Sequence, residues 1–482
     1  MSASDLDFLF HPQSVAIAGV TEVNNGFNAG LKFFQGLTTF GYKGKIYPLN
    51  PRGGEVLGQK IYENVRDIPD RVDYLISAIP SRFTPQLVAD AAAKGVKAIH
   101  FFTSGFSEIE DLEGGKLQEE IIRLARQGNI RIIGPNCLGL YCPKGGLTFN
   151  PDVSKESGPV GMISQSGGNA SHAIAEGNAR GVYFSKVISM GNGADINESD
   201  YLEYLTEDTD TKIIIAYLEG VKDGPRFLKA LRNATKIKPV IIFKVGASKS
   251  GAEAAVSHTS ALAGSSHVWE GLLKQAGATQ VHSIEEMIDL TLAFQYMTAP
   301  KGRNVVIMGI GGGASVIIAD EFSRAGLVLP RFSPETRQRL ISLYSTEAGK
   351  IFKNPIDMNN FESEAAFNET IKTIEADDQV DFLVLHVAFD HFGLISTEDK
   401  ERVTAIYSAL ILNSKNKVEK PVAVILHSFA ADRTGKMAID IRNNLTKAGF
   451  AVFPSVRRAA VALDRFIRFQ EQLKSRAEGE AK

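Results

Sequence analysis

The residues of this 482-residue chain whose types and spacing could do chemistry centre on AAVSHTSALAG, residues 254–264. The stretch sets one histidine, His258, among small and hydroxylated residues, with no apolar stripe to bury it. Alanine, serine, threonine and glycine let a backbone approach an anion closely, and they supply hydroxyls and amides to bind it. A neutral imidazole is a competent nucleophile toward phosphorus near pH 7, because its ordinary pKa lies close by. The stretch therefore suits a histidine that accepts a phosphoryl group on a glycine-bounded loop. It suits equally a surface histidine at the start of a small-residue helix, and the surrounding elements have to separate the two.

Two further sets of residues fit phosphoryl chemistry. GPVGMISQSGG, residues 158–168, reads as a strand, a Ser-Gln-Ser-Gly-Gly turn and a helix start. Such a turn presents free backbone N–H groups and the positive end of a helix dipole, which makes Ser166, Gly167 and Gly168 candidate anion contacts. The same glycines also suit a plain tight turn. TKIIIAYLEGV, residues 211–221, is an apolar strand with Glu219 at its carboxyl end. A carboxylate there that accepts a hydrogen bond from one imidazole nitrogen fixes the tautomer and leaves the other nitrogen free to attack. A solvated strand end is the plainer reading of Glu219. The His258 stretch follows the next strand, KPVIIFKVG, whereas His172, one turn into the helix after Gly168, reads as structural or solvent-facing.

These groups need a scaffold, and the chain predicts α/β architecture throughout. At about 150 residues per domain its length predicts roughly three domains. Apolar residues make up 44% and charged residues 22%, with a formal net charge of −2. That balance gives no electrostatic case for nucleic acid or for an anionic membrane. No apolar run approaches the ~18 residues of a membrane span, and the first residues, MSASDLDFLFHPQS, lack the basic region of a signal peptide. The two cysteines, Cys137 and Cys142, have no partner histidines nearby, so no metal site is expected, and their scarcity fits a reducing cytoplasm.

In the first domain, residues 1–145, short β-branched runs alternate with helical stretches: SVAIAGV, KIYPLNP, VDYLISAIP, VKAIHFFTSGF and IRIIGPN. The alternation predicts a doubly wound parallel sheet, whose ligands bind beyond the carboxyl ends of the strands. Those ends are Gly19, Val20 and Thr21; Asn50 and Pro51; Ile79 and Pro80; Thr103, Ser104 and Gly105; and Pro135 and Asn136. Lys45, at the start of the second strand, is a candidate for a phosphate. A dinucleotide is the weaker reading: the first loop, AGVTEVNNG, lacks the full Gly-x-Gly-x-x-Gly pattern, and no acidic residue closes the second strand. The second domain, residues 146–298, carries the Ser166 turn, Glu219 and His258. A third α/β domain, residues 299–469, follows TAPKG, and residues 470–482 read as a charged tail. Gly311 to Gly313 reads as a packing turn, and His386, His391 and His427 have no metal-like spacing.

SVAIAG, GKIYPLNP, IIGPNCLG, ISQSGG, SMGNGADI, YLEG and VSHTSALAG occur in this order between residues 14 and 264, within a resemblance that covers nearly the whole chain. In this the chain resembles the alpha subunits of the ADP-forming acyl-CoA synthetases, relatives of succinyl-CoA synthetase. The resemblance implies a Rossmann-like CoA-binding domain followed by two flavodoxin-like domains, with CoA on the strand ends named above. It implies that His258 becomes a phosphohistidine, that Glu219 orients it, and that Ser166, Gly167 and Gly168 face the phosphate. The implied reaction is acyl-CoA + ADP + phosphate ⇌ acid + ATP + CoA. Ser260 stands where that family usually has glycine, and the first CoA loop is not of the Gly-Ala-Ser type. The third domain is similar to the carboxyl-end domain of the relative's beta subunit, which places a second phosphate-facing segment near Asp390 to Gly393. No stretch resembles an ATP-grasp domain or a P-loop, so ADP or ATP and Mg2+ are expected on a separate ATP-grasp beta subunit, in an alpha2beta2 heterotetramer. A regulatory protein that only binds CoA or acyl-CoA is the alternative, but it would need neither His258 nor Glu219.

Overall fold

Runs such as Ser14–Ala18 and Ile213–Leu218 are buried at every position, as strands covered on both faces must be. The computed structural model describes residues 3–21, 28–109, 112–246, 265–309, 312–347, 349–358, 363–388, 397–427 and 432–480. The chain forms two compact units, residues 1–178 with 182–287, and residues 179–181 with 288–482.

The first unit holds two doubly wound sheets. Strands β1 (Ser14–Ala18) and β2 (Lys45–Leu49) are followed by a short hairpin, β3 (Glu55–Val56) and β4 (Gln59–Lys60). Then come β5 (Tyr74–Ser77), β6 (Ala98–Phe101) and β7 (Arg131–Ile133). The parallel order is β2-β1-β5-β6-β7. The chain thus builds to one side of β1 and then crosses to the other, so the switch point lies between β1 and β5. Helices α1 (Ala29–Phe40), α2 (Thr84–Lys94) and α3 (Leu112–Gln127) make the crossovers.

The second sheet comprises β8 (Gly139–Tyr141), β9 (Val160–Ser164), β10 (Phe184–Ser189), β11 (Ile213–Leu218), β12 (Val240–Lys244) and β13 (Thr279–Val281). Its order is β13-β12-β11-β9-β10-β8, parallel except for β8, which runs against β10. Here the switch point lies between β9 and β11. Helices α4 (Gly167–Asn178), α5 (Glu198–Glu207) and α6 (Gly224–Ile237) connect its strands.

The two sheets are stitched where β7 leaves the first and β8 enters the second. Arg131 pairs with Asp195 at 2.8 Å. The loop after β10 runs along the exit of β7: Asn192 N–H donates to Pro135 O at 3.0 Å, Ala194 N–H to Gly134 O at 2.9 Å and Ile196 N–H to Ile132 O at 3.3 Å. One apolar cluster contains Ile76 and Ile133 of the first sheet together with Ile163, Ile188 and Ile214 of the second.

The second unit repeats the plan. Its strands are β14 (Val305–Gly309), β15 (Lys350–Ile351), β16 (Ile356–Met358), β17 (Phe382–Ala388), β18 (Val422–His427) and β19 (Ala451–Phe453), in the order β15-β16-β14-β17-β18-β19. Without the antiparallel edge strands, β15 here and β8 in the second sheet, all three sheets have the same strand order. Residues 470–480 continue the helix Val456–Glu480, where Glu471 joins Asp464 in pairing with Arg303. Gly312 and Gly313 open the helix Gly312–Arg324. His391 and the expected phosphate-facing segment at residues 390–393 lie outside the described residues.

The core of the first sheet contains an ionisable group, His100 on β6. Its Nε2 lies 3.0 Å from Cys137 O, so Nε2 carries the proton, and burial holds the imidazole down to about 4. The unfolded chain therefore binds a proton below about pH 6.5 that the folded chain refuses until about pH 4. The stability is complete above pH 6.5 and falls by up to about 3 kcal/mol as the pH drops to 4. Urea unfolding of His100→Leu across this interval should show that part of the acid sensitivity gone. An unchanged pH slope would mean that other groups carry it.

Candidate functional site

A glycine at the end of β1 lets the chain turn sharply where the first sheet switches direction. Gly19 has φ +97, a conformation open to glycine, and Gly30 of α1 packs so closely on it that a Cβ would lie 2.5 Å from the Gly19 carbonyl. The loops beyond the strands consequently leave open space. A cleft of about 870 Å3 runs from the ends of β1, β5 and β6 to the amino end of α4. A second cleft of about 680 Å3 lies between the end of β2 and α2, and both share Gly19, Ala78, Ile79 and Pro80.

Of the residues singled out in the sequence, Gly19, Ile79, Pro80, Thr103, Ser104, Asn136, Ser166, Gly167 and Gly168 line the larger cleft. Thr21, Asn50 and Pro51 line the smaller. Four others do not reach this space, among them Pro135, which is buried with its carbonyl accepting from Asn192 N–H. Val20 is fully buried, and its backbone is spent on Leu49 and Asn50. The Gly105 N–H is held by Glu108. Lys45 begins β2 at the opposite edge of the sheet, about 13 Å along the strand from the ligand edge, and pairs with Asp70 at 2.6 Å. A parallel sheet gathers strand ends, not strand starts.

The larger cleft ends at the first turn of α4. Gly167 and Gly168 have no intrahelical acceptor for their N–H groups, and Ser166 Oγ caps the helix by accepting from Asn169 N–H at 3.3 Å. The helix dipole adds partial positive charge there. Across the switch point stands Glu219, buried at the end of β11. Gln165 joins the two: its Oε1 accepts from the N–H groups of Glu219 and Gly220, and its Nε2 donates to Gly220 O at 3.0 Å. Tyr217 hydrogen-bonds to the side chains of both Glu219 and Asn169, and burial followed by the Glu219 charge pushes its phenol up to about 12.

His258 lies outside the described residues. The segment that carries it departs beside Glu219, since Val245 N–H donates to Leu218 O at 3.0 Å. Just before it, Lys244 is buried with its Nζ 5.1 Å from the centre of the Trp269 ring. Burial pulls its ammonium down to about 8, against the opposing attraction of Glu219.

Sequence reasoning passed over Gln165, Tyr217, Lys244 and Arg52. Gln165 sat inside a motif read for its glycines, and Tyr217 and Lys244 sat in strands read for their apolar neighbours. Arg52 directly follows Asn50 and Pro51 and is the one cation on the wall of the smaller cleft among the described residues. Cys137 reaches the larger cleft, but burial pushes its thiol up, away from the reactive thiolate. Among the described residues no cluster of side chains suits a metal ion, and no helix is long and apolar enough to cross a membrane.

Residues 13–143 match the family model of a CoA binding domain, and residues 157–294 that of a succinyl-CoA ligase like flavodoxin domain. The alpha subunit of acetate–CoA ligase [ADP-forming] I of Pyrococcus furiosus is 34% identical over 465 residues, covering 95% of this chain and 96% of that one. The alpha subunit of ligase II from the same organism is 36% identical over 83% of this chain and 86% of its own. The chain belongs to the family of ADP-forming acyl-CoA ligase alpha subunits. A solved structure of dinucleotide forming acetyl-coenzyme A synthetase 1 from Ca. Korarchaeum cryptofilum, in complex with phosphate and ADP, superposes with a TM-score of 0.81 at 28% identity. It covers 98% of both chains.

The Gln165 side chain satisfies three backbone groups from within the protein. Gln165→Ala leaves them without partners and should cost about 3 kcal/mol in denaturant unfolding. A loss below about 0.5 kcal/mol would mean that the amide does not hold the switch point together.

Proposed function

We propose that the chain is the alpha subunit of an ADP-forming acyl-CoA synthetase, which interconverts acyl-CoA, ADP and phosphate with the acid, ATP and CoA. The observation that carries this reading is the single cleft reaching from the strand ends of a CoA-binding domain to the helix amino end beside Glu219. CoA lies along the two clefts, with its phosphates toward Arg52 and its thioester toward Asn136. Phosphate held by Ser166, Gly167 and Gly168 attacks the thioester carbonyl, so the C–S bond breaks, an acyl phosphate forms and CoA leaves as its thiol. His258, its other nitrogen hydrogen-bonded to Glu219, takes the phosphoryl group from the acyl phosphate and releases the carboxylate. Phosphoryl transfer of this kind needs positioning and charge neutralisation more than covalent activation. The helix amino end supplies the second and Gln165 with Tyr217 the first.

The phosphoryl group then passes to ADP on a partner subunit. The family's naming by subunit supports a partner. We assign it an ATP-grasp fold that also holds Mg2+, and the working form an alpha2beta2 heterotetramer in the cytoplasm. The chain alone should not make ATP.

Labelled ATP with Mg2+ and a co-expressed beta subunit should give an acid-labile, base-stable phosphoryl label on this chain, absent in His258→Ala. No label on the intact wild-type complex would overturn the phosphohistidine, and net ATP formation by the isolated chain would overturn the need for a partner.

A further inference from the structure

Leu138 stands at the end of the reaction cleft, with a second space behind it. Its backbone is fixed between the two sheets of the first unit, where its N–H donates to Ser189 Oγ at 3.0 Å. Its side chain lines the 870 Å3 cleft and lies directly on Gly167: a Cβ added to Gly167 would be 2.6 Å from Leu138 Cγ. Leu138 thus touches the first residue of the helix whose amides face the phosphate. Its other side closes a small inner cavity of about 10 Å3, room for about one water. The walls there are Phe33, Ile76, Leu140 and Leu147, with Tyr74 and His100 stacked beside them. The Tyr74 hydroxyl and His100 Nδ1 have no hydrogen-bond partner among the described residues, which suits a single trapped water.

We propose that Leu138 sets the length of acyl chain this protein accepts, by closing the inner cavity behind the thioester. The inference rests on the function proposed above. Phosphate at the Gly167 and Gly168 amides reaches the thioester carbonyl only if that carbon lies close to the start of α4. The substituent on the carbonyl then points at the surface Gly167 shares with Leu138. A methyl or ethyl group fits in front of the isobutyl side chain. A longer chain runs into it, and the space directly behind Leu138 is the inner cavity that it covers. Cutting the side chain back joins that cavity to the cleft and gives a longer chain room against Phe33, Ile76, Leu140 and Leu147, with the trapped water displaced or kept on Tyr74 and His100. Leu138 is in this sense a specificity-determining residue that takes no part in bond making.

The test is turnover of acetyl-, butyryl- and hexanoyl-CoA by the reconstituted complex of this chain with its beta subunit. Wild type should lose kcat/KM steadily from acetyl to hexanoyl. Leu138→Ala should raise the butyryl-to-acetyl ratio of kcat/KM by about tenfold or more, since each methylene a pocket accepts or rejects is worth on the order of 10-fold to 200-fold. Leu138→Val should shift the ratio the same way by less, and it decides the matter if the alanine variant does not fold. An unchanged ratio in the folded variant, or wild type that uses hexanoyl-CoA as well as acetyl-CoA, overturns the proposal. If wild type turns over no acyl-CoA at all, the synthetase reading fails by itself. Calorimetric binding of hexanoyl-CoA relative to CoA then judges the cavity. Tighter relative binding in the variant supports it and an unchanged ratio overturns it.

Discussion

One buried amide joins the turn before α4 to the end of β11. Gln165 reaches from the turn after β9 across the switch point and engages both backbone groups of Gly220 and the N–H of Glu219. Buried backbone groups without partners are costly, so this side chain stabilises the turn beyond the paired ends of β9 and β11. The amino end of α4 on one side and the carboxylate of Glu219 on the other depend on it. Tyr217 repeats the connection one layer out, through Asn169 and Glu219. Groups on two separate loops are thereby hydrogen-bonded to one another.

Electrostatics around that surface are balanced by burial. The first turn of α4 brings partial positive charge and free amides. Glu219 brings a negative charge that a histidine can use, and Lys244 sits nearby with its charge weakened by burial. Packing supplies the other constraint: Gly167 has no side chain because Leu138 occupies its place, so α4 and the segment linking the two sheets fit only together. The sheets share an apolar cluster and are sewn by the loop after β10.

The architecture was legible because strands buried on both faces must be continuous apolar runs, and such runs alternate with helices along the whole sequence. The elements that escaped notice are of a different kind. β8 is only Gly-Leu-Tyr and β15 only Lys-Ile; edge strands this short draw their stability from a neighbour and carry no pattern of their own. The supposed charged tail is helical because Arg303 pairs with Glu471 while Phe466, Ile467 and Phe469 are buried, a partnership that residues 470–480 do not announce.

By itself, the sequence determined the chemistry available to this protein: the residue types of the SQSGG, YLEG and SHTSALAG stretches, and the alternation that puts the first two at strand ends. Such motifs are local, and local chemistry can be read from residue type and spacing. The tertiary structure decided which ends meet. It joined Gln165 to Glu219 across the sheet, laid Leu138 on Gly167, brought Arg52 to the wall of a cleft and left Lys45 on the far edge. The reason is that contacts between residues tens of positions apart follow from strand order. In all three sheets that order turns on one crossing from one side of the first strand to the other, a choice that no short stretch of sequence records.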